Sequence, residues 1–539
     1  IYLDAFRQVT SVSGNSYPDV VKAINNRIAA GCLIFNYVGH GNESGLAHER
    51  VVRTDDINSW KNSAMLPLFI TATCEFSRFD DVEINPANGS VAARTSAGEM
   101  VLLNPDGGGI ALMSTTRVVY SAPNFTLNYN IYKNAFTAAP DGRARRMGDI
   151  IRQAKISSGP GMNKRNFLLL GDPALRLAWP VKGQVVTDSI NRVSVENATD
   201  TLKALSLVTV SGHLEESSGS LTDDFSGEVE AVILDKARNI NTLANDGGSP
   251  MSYKVTGSTI FRGKTSVKNG LFNFSFIVPL DINYTFGQGM ITYYARNETE
   301  DMNGSFSDII VGGFSDSGIE DTEGPEIRLF MNDTLFIGGG ITDDSPTLLA
   351  LFEDESGINA SGSGIGHDII AWLDDNMSDA VVLNSLYSAD IGVHTSGSLK
   401  YPVFITERGE HTVSLRAWDN LNNPTVATLS FVMESSGKFR LTDLLCYPNP
   451  ATDAAWFTAG HNRPESEIDI TITIYSTGGN ALKRIRERVP STGYQLPDIY
   501  WDGCDDNGGR VARGLYIWRA DAVTDEGERA SASGKIIIL

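Results

Sequence analysis

Two side chains in the first hundred residues, His40 and Cys74, have the types and the setting for nucleophilic chemistry. Each ends a short apolar run: His40 follows Asn36-Tyr-Val-Gly, and Cys74 follows Phe69-Ile-Thr-Ala-Thr. A thiol becomes a useful nucleophile near neutral pH only beside a base or a cation, and an imidazole supplies either. In an open parallel sheet the reactive groups gather outside the carboxyl ends of the strands, so neighbouring strands would bring this thiol and this imidazole together. A lone cysteine reads as a small core hydrophobe, and a lone histidine as a satisfied surface or core residue. Their placement at consecutive strand ends, with His40 between Gly39 and Gly41, favours a dyad. The backbone at Gly41 can approach closely, and its N–H with that of Cys74 would form an oxyanion hole for a tetrahedral intermediate.

The elements that must position this pair are legible over residues 1–183. Leu33–Val38, Leu66–Thr71 and Gly109–Met113 are short and almost continuously apolar, as strands covered on both faces are. Asp19–Ala30, Phe125–Phe136 and Ala144–Ile156 read as the helices between them, and Phe167–Leu170 as a returning strand stopped by Gly171-Asp-Pro. The opening Ile1-Tyr-Leu-Asp-Ala reads as one more strand. Cys32 precedes the histidine strand and reads as a structural thiol, and His48 as a surface residue.

Tyr37-Val-Gly-His-Gly-Asn-Glu43 and Thr71-Ala-Thr-Cys-Glu-Phe76 resemble the catalytic segments of the gingipain-type cysteine peptidases, relatives of the caspases. Arg78-Phe-Asp-Asp81, Ser96-Ala-Gly-Glu99, Ser114-Thr-Thr-Arg-Val-Val-Tyr120 and Leu168-Leu-Leu-Gly-Asp-Pro173 extend the resemblance in the expected order. The Thr-Ala-Thr-Cys-Glu-Phe and Thr-Thr-Arg-Val-Val-Tyr contexts favour the family's sortase branch, the C-terminal signal peptidases of type IX secretion. The resemblance implies a caspase-like α/β parallel sheet, with Cys74 as nucleophile, His40 as general acid and base, and Gly41 with Cys74 as oxyanion donors. It implies substrate contacts from Thr116, Arg117 and Tyr120. Glu43 and Glu75, with Asp80 and Asp81, could orient His40, bind a substrate amine, hold calcium or simply solvate their loops. In this family the sheet begins with strands upstream of the helix that leads to the histidine, and only Ile1–Ala5 is available for that place, so the resemblance implies a domain incomplete at its amino-terminal side. No cofactor is implied.

Beyond residue 183 the helical period disappears, and Ser, Thr, Asn, Asp and Gly punctuate short alternating runs, the pattern of β-sandwiches. We expect an Ig-like sandwich over 184–320, a second β-rich unit over 321–435 and a C-terminal sandwich over 436–539, separated at Asp321-Thr-Glu-Gly-Pro325 and Ser435-Ser-Gly-Lys438. The last unit, from Tyr447-Pro-Asn-Pro to Lys535-Ile-Ile-Ile-Leu, resembles the domains that direct proteins through type IX secretion. Four such units suit 539 residues at about 100 to 200 residues each. Asp343-Asp344, Asp354-Glu-Ser-Gly357 and Asp374-Asp-Asn376 invite a calcium reading, but none has the EF-hand spacing and turns explain them better, so no metal is expected. The loop Asp502–Arg510 reads as a tight hairpin. Cys446 and Cys504 could bridge or stay free.

A net charge of −21 repels nucleic acid and anionic membranes. The family resemblance implies cargo proteins bearing C-terminal signal domains as substrates, a lipopolysaccharide amine as acceptor, an outer-membrane β-barrel partner, and a place on the cell surface. The alternatives are a secreted general protease of the same fold, and a surface scaffold with a degenerate peptidase domain.

Overall fold

The computed structural model describes residues 1–539 apart from 13, 85–88, 197–199, 317–319, 343–345, 363, 365, 404, 406, 434–438, 464–465 and 491–494. Asp343-Asp344 and the break at residues 435–438 lie outside the described residues.

Helix α1 (Pro18–Ala30) starts with a proline in its first turn and ends at Gly31, whose φ of 84° is a left-handed conformation suited to glycine. Its Val20, Ile24 and Ile28, each four residues apart, are buried in a single stripe. Strands β1 (Ile34–Val38), β2 (Leu68–Ala72) and β3 (Ala111–Thr115) follow, with helices α2 (Ala97–Leu103) before β3, then α3 (Ser121–Ala135), α4 (Met147–Ser157) and strand β4 (Phe167–Leu170). The sheet order is β4-β3-β2-β1, with β1, β2 and β3 parallel and β4 antiparallel to β3. All of β2 and β3 is buried. Phe69 and Leu112 face one core with α1 and α2, whereas Leu68, Ile70 and Met113 face another with α3 and α4. Each such fully buried side chain contributes about 1.5–3 kcal/mol, so this three-layer stack fixes the strand ends firmly.

Ile1–Ala5 is not a strand. Leu3–Ala5 form a 3-10 turn, because Asp4 is held elsewhere. Its carbonyl accepts the Leu243 N–H at 2.7 Å, and its carboxylate accepts those of Ala244 at 3.0 Å and Asn245 at 2.9 Å. The segment thus docks on a distant loop, and β1 is left as the edge of its sheet among the described residues.

The remaining chain is β structure. A core centred on Val208, Val229, Phe276 and Ile291 is built by β5 (Gly183–Ile190), β6 (Leu207–Glu216), β7 (Gly227–Leu234), β8 (Thr259–Val267), β9 (Leu271–Ile277), β10 (Met290–Arg296) and β11 (Asp301–Phe306). A second core, around Leu348, Leu415 and Phe431, is built by β12 (Glu326–Met331), β13 (Thr347–Glu353), β14 (Ile370–Leu373), β15 (Ser396–Pro402), β16 (Gly409–Trp418) and β17 (Pro424–Met433). A third, around Phe457, Trp501 and Trp518, lies between a sheet containing β18 (Leu441–Tyr447) and β19 (Ala455–His461) and one of β20 (Glu467–Ser476), β21 (Ala481–Pro490), β22 (Gly514–Thr524) and β23 (Arg529–Ile538). The first two β units share a sheet path through Gly263 opposite Ala389. All four cysteines are free. Among the described residues no helix is long and apolar enough to cross a membrane.

Candidate active site

The register of β1 on β2 decides the site. Val38 lies opposite Ala72 in a parallel pair, and His40 and Cys74 each follow two residues later. Gly39 donates its N–H to the Ala72 carbonyl at 3.3 Å, which carries the pairing past the strand ends. The chain then turns at Gly41, where an added Cβ would lie 2.6 Å from Thr73 Oγ1 and 3.0 Å from the Gly45 carbonyl oxygen. Only glycine fits this approach, and it brings the Gly41 main chain against the residue before Cys74.

His40 is exposed, but its backbone is fixed twice: the Tyr37 hydroxyl donates to its carbonyl at 2.6 Å and the Ala47 N–H at 2.8 Å. Burial pushes the Tyr37 hydroxyl up to about 12, so it stays a donor across the ordinary pH range. The hairpin that pairs Gly41–Asn42 with Gly45–Leu46 folds the chain back and sets the His48 ring 5.1 Å from that of His40, centre to centre. Sequence reasoning missed this neighbour, whose only signal was the closely spaced Gly41 and Gly45 between the two histidines. A cleft of about 810 Å³ opens beside His40 along the β1 edge, lined by Val20, Ile24, Phe35, Tyr37 and His48 among others.

Cys74 is half-buried, with Sγ 3.7 Å from the Val119 carbonyl oxygen. The following Glu75 has φ 52°, a sharp left-handed turn that is costly for a residue with a side chain and that ends the strand abruptly. Cross-links from β2 to β3 hold this end: the Thr71 hydroxyl donates to Ser114 Oγ at 2.6 Å, the Thr115 hydroxyl to the Thr73 carbonyl at 2.5 Å, and the Ser77 N–H to the Thr115 carbonyl at 2.9 Å. Helix α2 abuts the same turn, with a capping box in which Glu99 accepts the Ser96 N–H at 2.8 Å.

The other residues singled out in sequence surround this centre. Glu75 donates its N–H to the Arg117 carbonyl at 3.4 Å, so the segment after β3 lies directly against the cysteine turn. Thr116 is buried and bonded to the Asn166 carbonyl, whereas Arg117 and Tyr120 are exposed. Arg117 grips Asp80 through both guanidinium nitrogens, at 3.0 and 2.5 Å, and this hydrogen-bonded pairing lowers the Asp80 carboxyl and raises the guanidinium. Glu43 pairs with Arg94 at 3.3 Å, Glu75 with Arg78 at 3.2 Å, and Asp81 with Arg78 at 3.5 Å and Arg94 at 3.7 Å. Each carboxylate read as a candidate ligand therefore has an arginine partner. Cys32 is packed against the α1 face of the sheet, where burial raises its thiol.

Residues 1–178 match the family described as Peptidase family C25. Among solved structures, the chain is similar to dimeric latent PorU from Porphyromonas gingivalis, with 30% identity over 80% of this chain and 41% of that one and a TM-score of 0.32. It is also similar to the complex of Porphyromonas gingivalis RgpB pro- and mature domains, with 15% identity, 54% and 57% coverage and a TM-score of 0.26. The chain thus spans about two fifths of the length of that PorU, 41%. No curated protein matches it.

Proposed function

Since residues 1–178 match Peptidase family C25, we propose that they form a gingipain-type peptidase domain with Cys74 and His40 as its dyad, in a sortase that cleaves C-terminal signal domains from secreted cargo. The observation that supports this reading is the register of Val38 on Ala72, which sets both residues at the same height beyond adjacent strand ends.

The chemistry runs in two halves. The Cys74 thiolate attacks the scissile carbonyl carbon, and the N–H groups of Gly41 and Cys74 stabilise the oxyanion. The tetrahedral intermediate collapses to a thioester, with His40 protonating the departing amine of the signal domain. His40 then takes a proton from the incoming nucleophile, which displaces the thiolate. With an amine on a lipopolysaccharide the cargo becomes linked to the cell surface, and with water it is released. The exposed Arg117 and Tyr120, one strand away, would contact the residue before the scissile bond. The enzyme would work on the outer face of the outer membrane, attached through a β-barrel partner.

Incubating cargo that carries its C-terminal signal with the protein and a small amine, then weighing the products by mass spectrometry, tests the reading. Amine-tagged cargo, lost in Cys74→Ala and retained in Cys32→Ala, is the expected result. Hydrolysed product alone across several amines would make this an ordinary protease of the same fold, and no cleavage together with no labelling of Cys74 by a peptidyl thiol reagent would make it a scaffold.

A further inference from the structure

A group of acidic side chains lies far from the peptidase site. Asp321 precedes β12, Asp354 follows β13 and Asp419 follows β16, and a carboxylate oxygen from each lies within 4.8 Å of the other two. Strands β13 and β16 belong to the opposed sheets of one sandwich, and Asp321 belongs to the segment that leads into it. Asp419 is wholly buried and Asp354 is 9% exposed. Oδ2 of Asp321 is buried with no hydrogen-bond partner, although its other oxygen takes the Glu323 N–H.

Carboxylates brought this close repel one another, and burial removes the water that would screen them. Desolvation raises both Asp354 and Asp419, the latter to about 6; the charge of Asp321 raises both further, and that of Asp354 adds to the rise at Asp419. Among the described residues no lysine, arginine or histidine pairs with any of the three. Asn423 joins two of the segments, donating from Nδ2 to the Asp321 carbonyl at 3.0 Å and to Asp419 Oδ2 at 2.7 Å, and Asn420 joins the third, donating from Nδ2 to the Ser356 carbonyl at 2.7 Å. An arrangement of hard oxygen donors, one of them buried and unpartnered, lacks a positive counterpart. We propose that Asp321, Asp354 and Asp419 bind a divalent cation of the calcium type, which clamps the linker segment onto both sheets of the sandwich. Oxygen-only donors select calcium or magnesium over zinc, and ligands gathered from separate loops suit the looser and larger coordination of calcium.

The full chain, stripped with a chelator and returned to calcium chloride, tests this through thermal unfolding and through terbium luminescence sensitised by Trp418, the residue before Asp419. Calcium should raise the melting temperature more than magnesium does. Asp321→Asn should abolish most of that rise and weaken terbium binding by about tenfold or more, because it removes one of three carboxylate charges that no cationic side chain balances. The same variant should melt no lower than wild type without metal, since it relieves repulsion; a merely structural role for Asp321 predicts a lower melting point in every buffer. Comparison between variants cancels ions held elsewhere. Asp354→Asn provides the second arm. An equal calcium response in wild type and both variants, equal shifts with magnesium, or no calcium response at all would overturn the proposal.

Discussion

At the scale of single residues, the candidate centre at His40 and Cys74 depends on close approaches rather than on charge. Gly41 illustrates this, because a Cβ there would meet both Thr73 Oγ1, in the residue before Cys74, and the Gly45 carbonyl oxygen, in the backbone of the hairpin after His40. Gly41→Ala is expected to cost about 1–3 kcal/mol of stability from overpacking, measurable as a lowered denaturant midpoint. The same change should slow alkylation of Cys74 by a peptidyl thiol reagent roughly a hundredfold if, as proposed, the Gly41 N–H is an oxyanion donor, because it displaces that group. Alkylation at the wild-type rate would show that the Gly41 backbone plays no part in the reaction. The acidic residues nearby carry less of the argument. Glu43, Glu75, Asp80 and Asp81 are held by Arg94, Arg78 and Arg117 in exposed or half-exposed pairs, which solvent screens so that they add little to stability.

At the scale of elements, β19 carries a buried titratable group with a definite consequence. His461 closes this strand at 2% exposure, and its Nδ1 accepts the Arg463 N–H at 3.3 Å, so the ring is neutral at that atom. Burial lowers its pKa from 6.5 to about 4. The unfolded chain therefore binds a proton that the folded unit refuses. Stability is intact above the unfolded value near 6.5 and falls as pH drops toward 4, by up to about 3 kcal/mol at 1.36 kcal/mol per pKa unit. Urea unfolding followed through the buried Trp501 and Trp518 between pH 7 and 4 should show this loss, and His461→Gln should flatten it. An unchanged slope in that variant would assign the acid sensitivity to other groups.

At the scale of the whole molecule, the first two β units are joined by more than a shared strand path. Asp281, from the loop after β9, accepts hydrogen bonds from Asn359 Nδ2 at 2.9 Å and Asn422 Nδ2 at 2.8 Å, and sits 2.8 Å from His367 Nδ1. All three partners come from loops of the next unit, at the end of the sandwich where Asp354 and Asp419 lie. Asp281→Ala leaves buried donors unmet and should cost about 1–3 kcal/mol. Limited proteolysis should then cut sooner in the stretch 315–325 between the units. If the cutting rate stays at the wild-type value, the latch is not what holds them. The peptidase segment is tied in as well, through Asp4 on the 243–245 loop and through Lys22, which donates to the Asp379 carbonyl at 2.7 Å.

Local pattern determined a good deal of this protein. The unbroken apolar runs of β2 and β3, the spacing of Val20, Ile24 and Ile28, and the glycines around His40 all express constraints that act within a few residues, and they placed a thiol and an imidazole at strand ends. Alternation beyond residue 183 likewise marked strands wherever one face is buried. What tertiary structure decided were the long-range partnerships. Ile1–Ala5 has the composition of a strand, yet Asp4 finds donors some 240 residues away and the segment turns instead. His48 acquires a histidine neighbour only through the hairpin that reverses the chain. Asp354 read as an ordinary turn aspartate, because sequence shows each carboxylate with its neighbours in the chain. Only the packing of two sheets and a linker brings it against Asp321 and Asp419, where repulsion in a desolvated space makes the three one chemical object.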